Sequence, residues 1–578
     1  MSNKIKKNRQ NNKREINEFM AILMCIAPYM CGLALGMYAF LIAAVLIMAI
    51  IIRANSEKML RLYWNGSTCA SLIILLTSIG TCFYGVSHGN SFIGVVWLLA
   101  IGAWIIYTSQ LGKEEKVDAL MVIPDAGAVM VVISAIMYSM PEAKHIAFSN
   151  SRMQGFMTYA NTFALFLLIG LIIFALHDSY ARRPLWNKIV CPLLLLVGIL
   201  WSGSRITLVM TGVVMILLAV KKSEVRKTYL AYLIVGVVGA VVFAIVSGNT
   251  ASIGRLITFS QSSTLLGRFL YWIDAFKMMV NYPFGMGRMG YYMANEAMQT
   301  GVYTVRFVHN DWLQVILDYG FVAFGAFVYL MVRQIRKSSG INRWILIIIG
   351  IHMIFDMDLQ YMIIVAIMIC SMDFSYGKSV ELAPLAITRD KLIVNIAGGL
   401  MIVVFAWMAL ADACQQLAYF DVADAIYPWN VFTKEQLIVS SMDKGDVEAT
   451  EKYCNETLDM NKYDAAAYDA MALVHYSNKD YLQMVEAKYE ALLLQPYRIE
   501  EYDDFVTQAK EAITYFEENG DTKSADLCKE KLQEIPDILE DVKARTNPIA
   551  YKINDKPEFD LSKESLDYIN DVLSDSSK

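Results

Sequence analysis

The sequence predicts an all-α protein in which a polytopic membrane bundle precedes a smaller helical domain. Of the 578 residues, 56% are hydrophobic and 18% are charged. The apolar residues gather in runs long enough to cross the hydrocarbon core of a bilayer, which takes roughly 20 helical residues. The charged residues concentrate at both ends of the chain and in the connections. We therefore divide the chain into a basic tail (1–18), a membrane domain (19–411) and a C-terminal domain (412–578).

The apolar runs predict about thirteen membrane spans. They occupy residues 19–52, 62–86, 91–107, 119–140, 157–176, 189–201, 206–220, 229–246, 312–332, 344–355, 361–371 and 392–410. The first run is too long for one crossing, so we expect two short helices that fold against each other near residues 31–36.

Lysine and arginine positions predict the orientation. The N-terminal tail is basic, and so is every second connection: 53–61, 113–116, 182–188, 221–227, 333–343 and 378–391. Short basic loops face the cytoplasm in membrane proteins. The tail lacks a clear cleavage site, so we expect it to be retained. This places a multi-pass protein in the plasma membrane, with a cytoplasmic N-terminus and, after an odd number of spans, an extracytoplasmic C-terminal domain.

The C-terminal domain differs from the rest of the chain in its net charge and contains a sequence repeat. Residues 412–578 contain 36 acidic and 17 basic residues, a net charge of −19, so the rest of the chain carries +14. Similar residues recur 34 positions apart, as Asp446 with Asp480 and Tyr463 with Tyr497, which is the period of tetratricopeptide repeats. We expect a tetratricopeptide-like α-solenoid that binds a protein partner or caps the membrane domain. Polar sequence after Pro548 predicts a mobile end.

Residues 248–310 form a predicted extracytoplasmic loop with an unusual charge. Only two acidic residues lie in this loop, Asp274 and Glu296, whereas its basic residues and histidine are Arg255, Arg268, Lys277, Arg288, Arg306 and His309. Outward-facing connections are normally poor in arginine. The loop's cations therefore indicate a function.

Two further arginines are expected on the same face of the membrane. Arg152 lies in an outward loop before a span, and Arg205 follows a tight turn at residues 201–204. Each alone is compatible with a side chain that reaches toward lipid headgroups. Together with Arg268 they suit a lipid-linked diphosphate, because guanidinium groups bind phosphate oxygens in a two-pronged manner. Arg288 and Arg306 complete the predicted diphosphate site.

His309 is the predicted catalytic residue. It stands where the cationic loop meets the next span, and an imidazole, which titrates near neutral pH, accepts a proton from a sugar hydroxyl in general-base catalysis. The alternative is that His309 caps the start of the helix. The neighbouring Arg306 favours the catalytic interpretation.

Two other sequence patterns give weaker indications of function. The glycines of residues 285–290 match a dinucleotide-binding spacing but follow no strand, so we interpret them as a tight backbone turn. Asp356 and Asp358 resemble a paired-acid metal site, but no third ligand is apparent, and we interpret them as turn and cap residues. We predict no cofactor, no metal and no nucleic-acid partner.

Several motifs in order resemble the O-antigen ligase and polymerase family of bacterial envelope glycosyltransferases. The resemblance covers roughly residues 19–375 and rests on Arg152, Gln154, Gly155, Asn161, Ser202-Gly203-Ser204-Arg205, Gly267-Arg268, Trp272, residues 283–287, His309-Asn310, Leu313, Gln314 and Gly320. It implies a GT-C-like, metal-independent enzyme that transfers glycan from undecaprenyl diphosphate, with inversion, to a glycan, lipid, wall or protein acceptor. Polymerisation and ligation stay open.

In the scheme that the resemblance implies, Arg205 and Arg268 hold the diphosphate, Arg152 assists, and His309 activates the acceptor hydroxyl. The rival interpretation is a transporter or flippase of lipid-linked sugars. Such a protein would place charged groups inside its spans, often near broken helices, whereas we expect the cations of this chain to gather at one surface.

Overall fold

The structure is a computed structural model that describes residues 18–177, 183–221, 231–232, 234, 238 and 263–576. The basic tail through residue 17, the connection 222–227, most of the predicted span 229–246, and Arg255 lie outside the described residues.

The membrane domain is helical, as predicted. Its elements are α1 (Glu18–Tyr29), α2 (Gly36–Ser56), β1 (Leu60–Trp64), α3 (Gly66–Tyr84), α4 (His88–Ser109), α5 (Lys113–Leu120), α6 (Ile123–Tyr138), α7 (Pro141–Ala147), β2 (Phe148–Ser149), β3 (Arg152–Met153), α8 (Ala160–Leu176), α9 (Leu185–Ser202), α10 (Arg205–Lys221), α11 (Ser263–Asn281), α12 (Gly290–Met298), α13 (Asp311–Lys337), α14 (Gly340–His352), α15 (Met362–Ser371), β4 (Lys378–Leu382) and α16 (Thr388–Gln416).

Six helical segments of the described residues are long and apolar enough to cross a membrane, and six shorter apolar helices lie among them. The six long segments are Gly36–Ser56, Gly66–Tyr84, His88–Ser109, Lys113–Tyr138, Asp311–Lys337 and Thr388–Gln416. The chain is therefore a membrane protein, and the total of about thirteen spans stays a prediction. Large apolar side chains exposed along α3, such as Leu76 and Phe83, suit contact with lipid.

The first apolar run is broken where the sequence predicts. Helix α1 ends at Tyr29, a 3-10 turn covers Cys31–Leu33, and α2 begins at Gly36. Cys31, Gly32 and Leu33 have φ values of 52°, 60° and 58°, which a right-handed helix cannot continue. Helix α2, at 21 residues, is long enough to span the bilayer alone and is not the short helix that we expected.

Two connections that we predict to face the cytoplasm meet at one end of the bundle. Strand β1 pairs antiparallel with β4, with Leu60 opposite Leu382, and Arg61 forms an ion pair of 3.1 Å with Glu381. Strands from connections on opposite sides of a bilayer could not pair, so these two connections share a side, as their charges predict.

A glycine-rich turn enters the bundle beside a break in α13. Gly320 has φ 84° inside α13, and a Cβ atom there would lie 2.5 Å from the carbonyl carbon of Phe284. The turn before α12 fills this break, because Met286 N–H donates to the carbonyl oxygen of Leu317 and Gly287 N–H donates to that of Asp318. The glycines of residues 285–290 thus form a tight turn, as we interpreted them.

Residues 263–310 of the predicted loop contain two helices. Helix α11 carries Arg268, and α12 follows the glycine turn. We interpreted this segment as a loop because it contains many polar residues. One face of α11 nevertheless packs inward, where Asp274 accepts hydrogen bonds from the backbone N–H of Thr300 and the hydroxyl of Tyr303.

The C-terminal domain consists of paired helices. They are α17 (Phe420–Ile426), α18 (Val431–Asp443), α19 (Val447–Met460), α20 (Ala465–Ser477), α21 (Tyr481–Leu494), α22 (Ile499–Glu518), α23 (Thr522–Arg545) and α24 (Lys563–Ser576). Helices α18, α20 and α22 begin 34 residues apart, as do α19 and α21, which is the spacing found in the sequence. The assignment to tetratricopeptide repeats stays a prediction.

The end of the C-terminal domain, for which we predicted mobility, packs against the rest of the chain. Ala550 and Ile553 are buried beside Leu270 and Tyr303 of the region after residue 263, and Asn547 N–H donates to the carbonyl oxygen of Thr300. Helix α24 buries Ile569 and Val572 in the core of the C-terminal domain. This domain therefore contacts the helix that carries Arg268.

Candidate active site

A buried carboxylate, Asp356, is the centre of the candidate active site. It lies between α14 and α15, and 1% of its side chain is exposed. Its two oxygens accept hydrogen bonds from the hydroxyl of Tyr159 at 2.5 Å, the amide of Asn161 at 2.8 Å and the guanidinium of Arg268 at 3.3 Å. His309 Nδ1 lies 3.6 Å from Asp356 Oδ1. Groups from three separate parts of the chain therefore converge on one anion.

Arg152 joins this network through Asn161. Its Nη2 donates to the side-chain oxygen of Asn161, whose amide nitrogen donates to Asp356. Its Nε donates to the backbone carbonyl of Ser202 at 2.7 Å. Gly203, with φ 64°, ends α9 at this point, and a left-handed residue there favours glycine. The turn before Arg205 thus positions Arg152.

Arg205 begins α10 directly after this turn. Burial lowers the pKa of the Arg152 guanidinium, and the nearby charges of Arg268 and Arg205 lower it further, while Tyr159 and Asp356 raise it. Arg152 is therefore close to both Arg268 and Arg205. That these three arginines bind one diphosphate stays a prediction.

Arg268 and Asp356 form a buried ion pair. Burial raises the pKa of Asp356, but Arg268 and the nearby imidazoles of His309 and His352 outweigh it, so this pKa lies well below the usual carboxyl value. Burial lowers the pKa of Arg268, but Asp356 and Tyr159 raise it by more. Both groups are therefore charged at neutral pH.

His309 lies beside this pair in a strained backbone conformation. Its φ is 52°, a region that residues other than glycine rarely adopt and that is concentrated at functional sites. The imidazole lies between the rings of Tyr159 and Tyr271, and 20% of its side chain is exposed. The residue that caps α13 is Asn310, whose side chain accepts from Leu313 N–H. Helix capping therefore does not explain His309.

Arg288 and Arg306 belong to a different group. Arg288 Cζ lies 4.3 Å from the centre of the Trp97 ring, inside the bundle. Arg306 Cζ lies 5.7 Å from the ring of Phe432, which belongs to the C-terminal domain. Burial lowers the pKa of Arg306, and the charge of Arg288 lowers it further, so these two arginines are close to each other. The single site of five arginines that we predicted is two groups in the structure, and the cations do not all gather at one surface.

From the sequence alone we did not identify Asp356, or the neighbouring pair of Asp358 and His352, as part of the site. We interpreted Asp356 and Asp358 as turn and cap residues, and we gave His352 no role. In the structure Asp358 is fully buried and lies 2.6 Å from His352 Nδ1, while His352 Nε2 contacts Thr207 Oγ1 at 3.0 Å. Among the residues that the structure describes, no group of three or more His, Cys, Asp or Glu side chains is arranged to hold a metal ion.

One comparison with known proteins gave a match. Residues 190–328 match the family model described as O-antigen ligase. The matched segment includes Arg205, Arg268 and His309, whereas Arg152 and Asp356 lie outside it. Comparisons with curated proteins and with solved structures gave no match. Residues 190–328 of this membrane protein are therefore similar to the O-antigen ligase family.

Proposed function

We propose that this protein transfers a glycan from undecaprenyl diphosphate to an acceptor hydroxyl at the extracytoplasmic face of the plasma membrane. The observation that carries the proposal is the assembly around Asp356, where three guanidinium groups and one accessible imidazole meet. The match to the O-antigen ligase family supports glycosyl transfer as the reaction class.

The arginines bind the donor. Arg152, Arg205 and Arg268 bring three guanidinium groups to the site around Asp356, and we assign them to the diphosphate of the donor. A guanidinium that is held in place before the reaction stabilises charge as it develops on the leaving group, and it does so most effectively where water is excluded. In this scheme the guanidinium groups, and no metal ion, neutralise the departing diphosphate.

His309 is the general base. The acceptor oxygen forms a bond to the anomeric carbon while the bond from that carbon to the diphosphate oxygen breaks, and the proton of the acceptor hydroxyl moves to the imidazole of His309. Asp356 orients the ring, and the distance of 3.6 Å between its Oδ1 and Nδ1 shortens when substrate binds, as catalytic hydrogen bonds often do. A single displacement of this kind inverts the anomeric centre.

The acceptor hydroxyl belongs to a glycan, a lipid, the wall or a protein, and the site serves polymerisation and ligation alike. The C-terminal domain lies on the same face as the site in this proposal. Its contacts with the region after residue 263 support a role in presenting an acceptor or binding an assembly partner.

Replacing Arg268 with alanine tests the donor site. We expect glycan transfer by the purified full-length protein to fall by roughly 10²- to 10³-fold, the effect of removing one donor from an oxyanion site. Arg268→Lys should recover part of the rate, because lysine keeps the charge but not the two-pronged geometry. Arg343→Ala removes an exposed arginine in the first turn of α14 and serves as the matched control. Equal rates in Arg268→Ala and Arg343→Ala would exclude the proposed donor site.

A further inference from the structure

A second buried hydrogen-bonded network lies beside the network of Asp356. It begins at Asp358 and continues through His352 and Thr207 to Ser204. Asp358 Oδ2 lies 2.6 Å from His352 Nδ1, His352 Nε2 lies 3.0 Å from Thr207 Oγ1, and Thr207 Oγ1 lies 2.9 Å from Ser204 Oγ. All four side chains are buried. We call these four residues the Asp358 network.

The Asp358 network connects the helices that surround the candidate active site. The hydroxyl of Thr162, on α8, donates to Asp358 Oδ1 at 2.9 Å. The preceding residue of α8, Asn161, donates to Asp356. His352 is the last residue of α14, and Thr207 belongs to the first turn of α10. Helices α8, α10 and α14 pack against one another, so the network fixes the start of α10 relative to the other two helices.

The network ends at the turn that precedes Arg205, the first residue of α10. Ser204 N–H donates to Ser202 Oγ at 3.2 Å, while the Ser204 hydroxyl is paired with Thr207. The backbone carbonyl of Ser202 accepts a hydrogen bond from Arg152 Nε. The turn is therefore held by an arginine of the donor site on one side and by the Asp358 network on the other.

Neither direct chemistry nor stability explains an imidazole and a carboxylate at this place. A carboxylate, an imidazole and a hydroxyl in this order resemble a nucleophilic triad, but Asp358, His352 and Thr207 are each 0% exposed, so substrate does not reach them. Apolar residues of similar volume are often as stabilising as a buried ionisable pair. What such a pair adds is direction, because both ring nitrogens of the histidine have a fixed partner.

We infer that His352 is a positioning residue for the donor site and acts through the start of α10 on Arg205. Asp358 fixes the orientation of the imidazole, and the imidazole fixes the hydroxyls of Thr207 and Ser204. The first turn of α10 then presents Arg205 in one position to the diphosphate. This inference rests on the function that we propose for Arg205, and it adds a network that does not touch the substrate.

A double-mutant cycle in the purified full-length protein tests the inference. His352→Gln should lower kcat/KM for the lipid-linked donor by roughly 10- to 100-fold, because a misplacement of about 1 Å in a site costs up to about 10²-fold. In an Arg205→Ala background the same change should have little further effect, since residues that act through each other are not additive. An equal loss in both backgrounds is the result of a packing role and would overturn the inference.

Thr207 provides a second pair of variants in case His352→Gln does not fold. Thr207→Ser keeps the hydroxyl and should transfer glycan at the unmodified rate. Thr207→Val keeps the shape but removes the hydroxyl, and it should reproduce the loss expected for His352→Gln. Equal rates in the serine and valine variants would overturn the inference.

Hydrogen exchange of the protein without substrate gives a readout that does not depend on transfer. His352→Gln and Thr207→Val should speed backbone exchange at residues 203–208 and leave α11 unchanged. Gln334→Leu is the matched control, because Gln334 is also buried and bonds Ser67 Oγ and the carbonyl oxygen of Asp373 away from the site. It should change neither exchange at residues 203–208 nor transfer.

The two readouts separate this inference from the proposed function. Faster exchange, together with a loss of transfer that disappears in the Arg205→Ala background, supports both. Faster exchange in a protein whose Arg205→Ala variant transfers at the unmodified rate would retain the contact between His352 and α10 but remove Arg205 from the donor site. Unchanged exchange at residues 203–208 in folded His352→Gln would overturn the positioning role.

Discussion

Replacing Asp356 with asparagine should reduce glycan transfer by roughly 10³- to 10⁴-fold, about the loss seen when the aspartate behind a catalytic histidine is replaced in the serine-protease triad. We expect this substitution to have the largest effect because Asp356 lies beside both the donor-binding arginine and the proposed general base. It pairs with Arg268 at 3.3 Å and lies 3.6 Å from His309. An asparagine keeps the size of the side chain but removes the charge, so the donor-binding guanidinium loses its counter-ion and the imidazole loses its orienting partner.

The same substitution has a structural cost that must be measured separately. Removing one partner of a buried ion pair costs about 3–5 kcal/mol, because the other charge stays buried without compensation. The yield and the thermal midpoint of Asp356→Asn should therefore be compared with those of Asp390→Asn. Asp390 is also fully buried and also accepts hydrogen bonds, from Ala383 N–H and from Arg389, but it lies in the first turn of α16.

Transfer should be lost only in the Asp356 variant, at a temperature where both variants remain folded. Transfer that survives in folded Asp356→Asn within tenfold of the unmodified rate would show that the carboxylate is a packing element and that the proposed site is wrong.

Replacing His309 with alanine should reduce transfer by roughly 10²- to 10⁴-fold, the contribution of a positioned general base. The donor should still bind, because Arg152 and Arg268 keep their contacts with Asn161 and Asp356. The expected signature is therefore a lower kcat with little change in donor affinity. Rate and donor binding are measured on the same preparation.

His145 offers the matched control for His309. It is exposed on α7, seven residues before Arg152, at the same end of the bundle. His145→Ala should transfer glycan at the unmodified rate. A His309→Ala protein that binds donor and transfers as fast as His145→Ala would remove the imidazole from the mechanism.

The sequence predicts those parts of the fold that local chemistry determines. The break near residues 31–36 follows from a run too long for one crossing, and the helix starts 34 residues apart in the C-terminal domain follow from repeated residues. Arg152, Arg205 and Arg268 were identifiable because arginine is costly on the outward side of a membrane protein. His309 was identifiable because it stands among those cations.

Other parts of the site depend on contacts that no local pattern reveals. Asp356 is 47 residues from His309 and 88 from Arg268 along the chain, and its sequence neighbours suit a turn. Its role comes from the packing of α14 against α8, which brings Asn161 to it. Arg288 was assigned to the wrong group because the sequence does not show that its glycine turn enters the break in α13 at Gly320. The two glycines at the contact, Gly285 in the turn and Gly320 in the break, were the sequence feature that could have indicated it.

The identity of the lipid product tests the central claim most directly. Purified protein is incubated with glycan labelled on undecaprenyl diphosphate, and both the lipid and the glycan products are measured. If the arginines around Asp356 hold the leaving group, free undecaprenyl diphosphate must appear in an amount equal to the glycan transferred. Release of undecaprenyl monophosphate, or passage of the intact lipid-linked glycan across a vesicle membrane without cleavage, would contradict the account.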